Sequence, residues 1–130
     1  MKQLLLLVLS IIMFTSCDPA ISEPTPDMNG RWVIEGDNPS IMYIYTEGIR
    51  YTYNCAYDDC KEYFRLECEA GDSNTIESNN YTFENNILTI DLNNGSEFVT
   101  QVIFDCDGKI VTLLDPFAGY SLYKLGTECQ

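Results

Sequence analysis

The stretch Ile41-Met42-Tyr43-Ile44-Tyr45-Thr46-Glu47-Gly48-Ile49-Arg50-Tyr51-Thr52-Tyr53-Asn54-Cys55-Ala56 decides the fold. Tyrosine and β-branched residues dominate it, and such side chains fit a pleated, half-buried surface better than a helix. Glu47-Gly48 separates two runs of period two, which specifies strand, turn, strand. In the second run Ile49, Tyr51, Tyr53 and Cys55 share one face, leaving Arg50, Thr52 and Asn54 on the other.

The same signal continues in both directions. Upstream, Arg31 to Glu35 reads as a strand with Trp32 and Ile34 on one face, followed by a turn at Gly36-Asp37-Asn38-Pro39. Downstream, Asp58-Asp59 leads into Lys61 to Cys68, where Phe64, Leu66 and Cys68 alternate with Tyr63, Arg65 and Glu67; the aromatics favour a strand over a short helix there. Residues 69–80 are polar and carry no assignment. Tyr81 to Phe83 and Leu88 to Leu92 flank a turn at Glu84-Asn85-Asn86, and Asn93-Asn94-Gly95 leads into Phe98 to Phe104. Asp107-Gly108 predicts a two-residue turn, and Ile110 to Leu114 and Tyr120 to Leu125 complete the series. Eight or nine short strands joined by short turns specify an all-β, antiparallel up-and-down meander. Such a meander closes into a small eight-stranded barrel, because an open sheet would leave two unpaired edges and one wet apolar face.

Ahead of the strands lies a different kind of sequence. Lys2 is followed by apolar runs at Leu4 to Leu9 and Ile11 to Phe14, a length suited to a signal peptide rather than a membrane span. Phe14-Thr15-Ser16-Cys17-Asp18 resembles the lipobox of bacterial lipoproteins, with small residues preceding the Cys and Phe14 where Leu is commoner. The resemblance implies that residues 1–16 are removed and that Cys17 becomes an acylated N-terminus anchored in a membrane, the outer membrane at its periplasmic or surface face being the expected one. Residues 17–28 then form the lipidated Cys and an extended tether with three prolines, residues 29–125 the barrel domain, and residues 126–130 a C-terminal tail.

Composition narrows the chemistry. The 130 residues include 7 basic and 20 acidic side chains, a formal charge of −13, which disfavours nucleic acid and electrostatic adsorption to anionic lipid. There is no histidine, which excludes Ser-His-Asp and Cys-His catalysis, His-ligated zinc and an imidazole general base. Six cysteines stand at 17, 55, 60, 68, 106 and 129. With Cys17 lipidated, five remain in an oxidising compartment, and their spacing favours structural disulfides over a zinc knuckle. Cys55, Cys60, Cys68 and Cys106 are the disulfide candidates and Cys129, in the tail, the candidate free thiol; the pairing stays open among 15 arrangements.

Gly30-Arg31-Trp32 heads the first strand of the meander. It is similar to the Gly-x-Trp signature of lipocalins, so residues 29–125 resemble a lipocalin-like (calycin-type) domain of bacterial lipoproteins. The resemblance implies that Trp32 plugs the closed end of the barrel, with Gly30 beside it and Lys124, where Arg is usual, packed over the indole. It also implies that the opposite end binds a small apolar or amphiphilic molecule. Tyr43, Tyr45, Tyr51 and Tyr53 lie on two adjacent strands at period two and are the candidates to line that pocket.

No catalytic residues, metal ligands or cofactor are assigned. Asp105-Cys106-Asp107-Gly108 lacks the remaining ligands of a calcium loop and reads as a turn. The expected function is therefore a membrane-anchored, non-enzymatic lipoprotein that binds a small ligand. The alternative is a structural or accessory surface lipoprotein with a filled barrel, acting through a protein partner that the residues do not identify.

Overall fold

Glu47 and Gly48 take left-handed backbone angles, φ 49° and 79°, and fold β2 (Ile41–Thr46) directly onto β3 (Ile49–Asn54). Two successive residues at positive φ match the right-handed twist of paired strands, so the turn fixes the register at Thr46 opposite Ile49. In a computed structural model that describes residues 25–36, 38–114 and 119–129, this hairpin is one unit of a longer meander. β1 (Gly30–Ile34) precedes it. After it come β4 (Glu77–Glu84), β5 (Ile87–Asp91), β6 (Glu97–Asp105), β7 (Ile110–Leu114) and β8 (Tyr120–Lys124). All neighbours pair antiparallel, and β8 pairs with β1, giving the closed eight-stranded up-and-down barrel that the strand count predicts.

Closure gives every strand an inner and an outer face. The inner face holds one core, with Trp32, Tyr45, Leu88, Ile90, Val102, Val111, Leu113 and Leu122 buried. Met28 is also buried in it at 1% exposure, so this residue of the expected tether belongs to the barrel.

A second core lies outside the barrel. Lys61 to Cys68, expected as a strand, belongs to the only described helix, α1 (Cys60–Glu67). The relevant period is four: Cys60, Phe64 and Cys68 are 2%, 0% and 0% exposed, whereas Leu66 is 60% exposed. Asp59 caps the helix by accepting a hydrogen bond from the Glu62 N–H at 3.0 Å. At the other end Arg31 Nη1 donates to the Phe64 carbonyl at 2.9 Å, satisfying one of the carbonyls the last turn leaves open. The helix covers Val33, Met42, Ile44 and Tyr53, which would otherwise face water.

Two further differences are local. The polar run Glu77-Ser78-Asn79-Asn80 opens β4 despite weak strand propensity, because β3 supplies a ladder for it: Tyr51 stands opposite Ser78 and Arg50 opposite Asn79. At the β6–β7 reversal Asp107 and Gly108 take positive φ as expected, but Cys106 does so too. Pairing resumes only at Asp105 opposite Ile110, so the reversal spans four residues.

Candidate functional site

One end of the barrel is built around Trp32. Its Nε1 donates to the Met28 carbonyl at 2.7 Å, so the chain entering β1 folds beneath the indole and satisfies its only polar group. Lys124 stands opposite Trp32 in the β1–β8 register and carries its Nζ 5.6 Å from the ring centroid, within cation–π range. Gly30 completes the group: at φ 133° it leaves the Lys124 side chain its path, since a Cβ there would meet Lys124 Cε at 2.9 Å. Gly30, Trp32 and Lys124 thus pack together as one group.

The four candidate pocket tyrosines do not share a face. Register pairs Tyr43 with Thr52 and Tyr45 with Arg50, so Tyr43 and Tyr45 point inward together with Arg50 and Thr52. Tyr51 and Tyr53 point outward into the core beneath α1. The Tyr53 hydroxyl donates to the Glu69 carbonyl and accepts from Thr75 Oγ1, tying the segment after α1 to the sheet. The correction follows from the two-residue turn, which places odd-numbered residues of β2 opposite even-numbered residues of β3.

The inward group is chemically uneven. Most of the interior is apolar, yet Arg50 lies in it half-buried, its guanidinium 5.0 Å from the Tyr43 ring centroid. Arg50 Nη2 donates to Asn79 Oδ1 at 2.6 Å. Asn79 is itself held by two donations from Nδ2, to Glu77 Oε1 at 3.1 Å and to the Asp91 carbonyl at 3.0 Å. Arg50 Nε and Thr52 Oγ1 are buried without a hydrogen-bond partner. Burial pushes the Tyr45 hydroxyl far above the usual tyrosine range, with the nearby Arg50 charge working the other way, so Tyr45 is neutral at physiological pH. Arg50 and Asn79 were not among the sequence candidates; the signal for Arg50 was its place opposite Tyr45.

Inward-facing aromatic and aliphatic residues at the strand ends stay half-buried at both ends of the barrel: Tyr81, Phe83 and Phe104 toward Met28, and a second group away from it. Ile34 ends β1, Phe98 lies near the start of β6 and Tyr120 begins β8. With Tyr43 they form an apolar rim above the polar group.

The cysteines pair differently from expectation. Cys55 is joined to Cys60 and Cys106 to Cys129, while Cys68 is a buried free thiol. Cys129 is within reach because β8 ends at the barrel end where β6 turns into β7; Lys109 Nζ also donates to the Glu128 carbonyl at 3.2 Å. Cys68 is enclosed between α1 and the sheet, where burial pushes its thiol up. Cys17, the leader and residues 18–24 of the tether lie outside the described residues.

Among the described residues, no helix is long and apolar enough to cross a membrane, and no group of three or more Cys, Asp or Glu is placed to hold a metal ion. The chain matches no protein-family model, no curated protein and no solved structure.

Proposed function

We propose that this chain is an exported lipoprotein, anchored through Cys17, whose lipocalin-like barrel holds a small apolar or amphiphilic molecule in the end away from Trp32. The observation that carries this reading is the mixed inner face of a closed barrel: apolar side chains surround the polar group of Arg50, Thr52 and Asn79, with Ile34, Tyr43, Phe98 and Tyr120 half-buried toward the end away from Trp32 and Tyr81, Phe83 and Phe104 half-buried elsewhere on the same face. Side chains of that kind on the inner face of a barrel suit a small ligand, with a few polar groups to orient it. No catalytic role is assigned to any residue. Native mass spectrometry of the mature protein, delipidated and purified without detergent, tests the reading. A co-purifying small molecule is expected; protein that carries none and binds no added aliphatic alcohol would overturn it. The anchor is tested separately, since Cys17→Ala moves the protein out of the membrane fraction if Cys17 carries the lipid.

A second reading is favoured by the outer face of β5 to β7. Ile87, Val99, Ile103 and Leu114 are exposed there at 40%, 55%, 48% and 42%, on a chain otherwise rich in acidic residues. A protein partner seated on that face would make the molecule an accessory lipoprotein.

A further inference from the structure

We infer that the exposed apolar face of β5 to β7 lies against the bilayer that holds the Cys17 anchor, so that the barrel rests on its side on the membrane. This goes beyond ligand binding and rests on the anchored-lipoprotein reading above.

The face is contiguous. Ile87 stands opposite Gln101, Gln101 stands opposite Leu114, and Val99 and Ile103 flank Gln101 along β6. These side chains point outward, because the residues that alternate with them, Leu88, Thr100, Val102 and Leu113, are buried on the inner side. Thr89 opposite Val99 and Thr112 opposite Ile103 complete the patch, which carries no charged side chain. Four of the eight large apolar side chains exposed among the described residues are therefore gathered on one uncharged surface, where scattered ones would call for no explanation.

What reaches this face depends on where the chain enters the barrel. Pro26 packs against the β6–β7 reversal, where a Cβ on Gly108 would lie 3.5 Å from Pro26 Cβ. That reversal is the foot of the face, since Ile103 lies two residues from Asp105, the last residue of β6. Cys17 lies nine residues before Pro26, so lipid on Cys17 enters the bilayer within about 32 Å of that foot. The strand from Asp105 to Val99 rises about 20 Å, so a bilayer reached by the anchor can lie along the whole patch.

Two surfaces are within that reach, the end of the barrel and this side. The end carries Asp27, Glu47, Glu84 and Asp107, all exposed, and seating it on a membrane would press carboxylates against headgroup phosphates. On the side, Asp91, Glu97 and Asp105 stand at the margins, where they stay in water while the aliphatic side chains enter the headgroup boundary. The anchor also makes the contact intramolecular. A patch too small to hold a free protein on a membrane is then large enough to orient a tethered one.

The test is fluorescence quenching by brominated lipid. The mature chain, from residue 17 onward, carries Cys68→Ser so that Cys17 holds the one free thiol. It is coupled through that thiol to maleimide-bearing phosphatidylethanolamine in phosphatidylcholine vesicles, which supplies an anchor whether or not cells acylate Cys17. Separate Ile103→Trp and Leu66→Trp variants put a reporter on the face and on the exposed side of α1, and the emission of buried Trp32 in the parent is subtracted. Brominated phosphatidylcholine should cut the Ile103→Trp signal about twofold or more and leave the Leu66→Trp signal unchanged, because only the face enters the headgroup boundary. Adding Ile87→Ser, Val99→Ser and Leu114→Ser to Ile103→Trp should restore the signal, showing that the face and not the new indole makes the contact. Circular dichroism checks folding; if the combined variant is unfolded, Val99→Ser alone, at the most exposed of these sites, should restore part of the signal. Quenching that ignores the serines, equal quenching of both reporters, or none at Ile103→Trp would each overturn the proposal. In the last case, a blue shift of Ile103→Trp emission that grows with protein density on the vesicles would assign the face to a second copy of the chain, and its absence would leave the face for a different protein. Those results leave the anchor and ligand readings standing, whereas a Cys17→Ala protein that stays in the membrane fraction removes the anchor and this proposal with it.

Discussion

Gly30 and Lys124 occupy the same space: a Cβ at position 30 would lie 2.9 Å from Lys124 Cε, on a backbone already at φ 133°. The two terms differ in kind. The lysine chain is flexible and moves aside at little cost, whereas a backbone angle that L side chains rarely adopt does not relax. Gly30→Ala should therefore destabilise the barrel by about 1–3 kcal/mol, mostly through backbone strain. Chemical denaturation of Gly30→Ala in the presence and absence of Lys124→Ala separates the terms. Nearly additive effects, with a coupling below about 0.5 kcal/mol, are expected; a large coupling would assign the cost to the side-chain clash instead.

Phe64 and Leu66 provide a direct test of the phase of α1. A strand from Lys61 to Cys68 would place both on one face, whereas the helix buries Phe64 completely and leaves Leu66 60% exposed. Phe64→Ala should cost about 3–5 kcal/mol, the usual penalty for emptying a packed aromatic site. Leu66→Ala should stay within about 0.5 kcal/mol, as surface substitutions do. Urea midpoints of the two variants check this, and comparable losses would argue for a strand.

Much of the barrel was legible in the residues because its turns announce themselves. Glu47-Gly48 and Asn85-Asn86 both adopt successive positive φ angles, and the strands they join were placed to within a few residues. The candidate pocket was less legible, although part of it was available. A two-residue turn after Thr46 sets it opposite Ile49, and counting back puts Tyr43 beside Thr52 rather than beside Tyr51. What no local pattern could supply was the second core. Both faces of β2 and β3 are buried, one by barrel closure and one by α1, so alternation alone does not say which is inside. The polar start of β4 was hidden for the opposite reason, since Asn79 is buried by its network and not by its own hydrophobicity.

The disulfides predict a single reactive group. In the mature chain carrying Cys17→Ala, thiol counting in denaturant without reductant should give one free thiol, at Cys68. Non-reducing peptide mapping should link Cys55 to Cys60 and Cys106 to Cys129. In the native protein at pH 8 Cys68 should react about 100-fold or more slowly than in denaturant, because alkylation needs both exposure and the thiolate. Fast native labelling would mean that α1 does not cover this residue. The 23-residue separation of Cys106 and Cys129 makes their bridge worth about 3 kcal/mol in the chain-entropy account, so Cys129→Ser should lower the urea midpoint measurably.

Tyr45 ties the interior to pH. Its folded pKa is raised by burial, so the fold binds the neutral hydroxyl more strongly than the unfolded chain does. The sign follows: this stabilisation is complete below the unfolded tyrosine pKa of about 10 and is lost as pH rises above it. Tyr45→Phe removes the titration. It should leave stability more nearly level than in the parent protein between about pH 10 and 11.5, whatever its effect at neutral pH. Measuring both in a Cys68→Ser background prevents thiol-driven exchange of the disulfides at alkaline pH. Urea midpoints across that range should fall more steeply in the protein that keeps Tyr45 than in the Tyr45→Phe variant; parallel curves would mean that water and base reach the hydroxyl, and that the interior around Arg50 is open to solvent more deeply than its burial indicates.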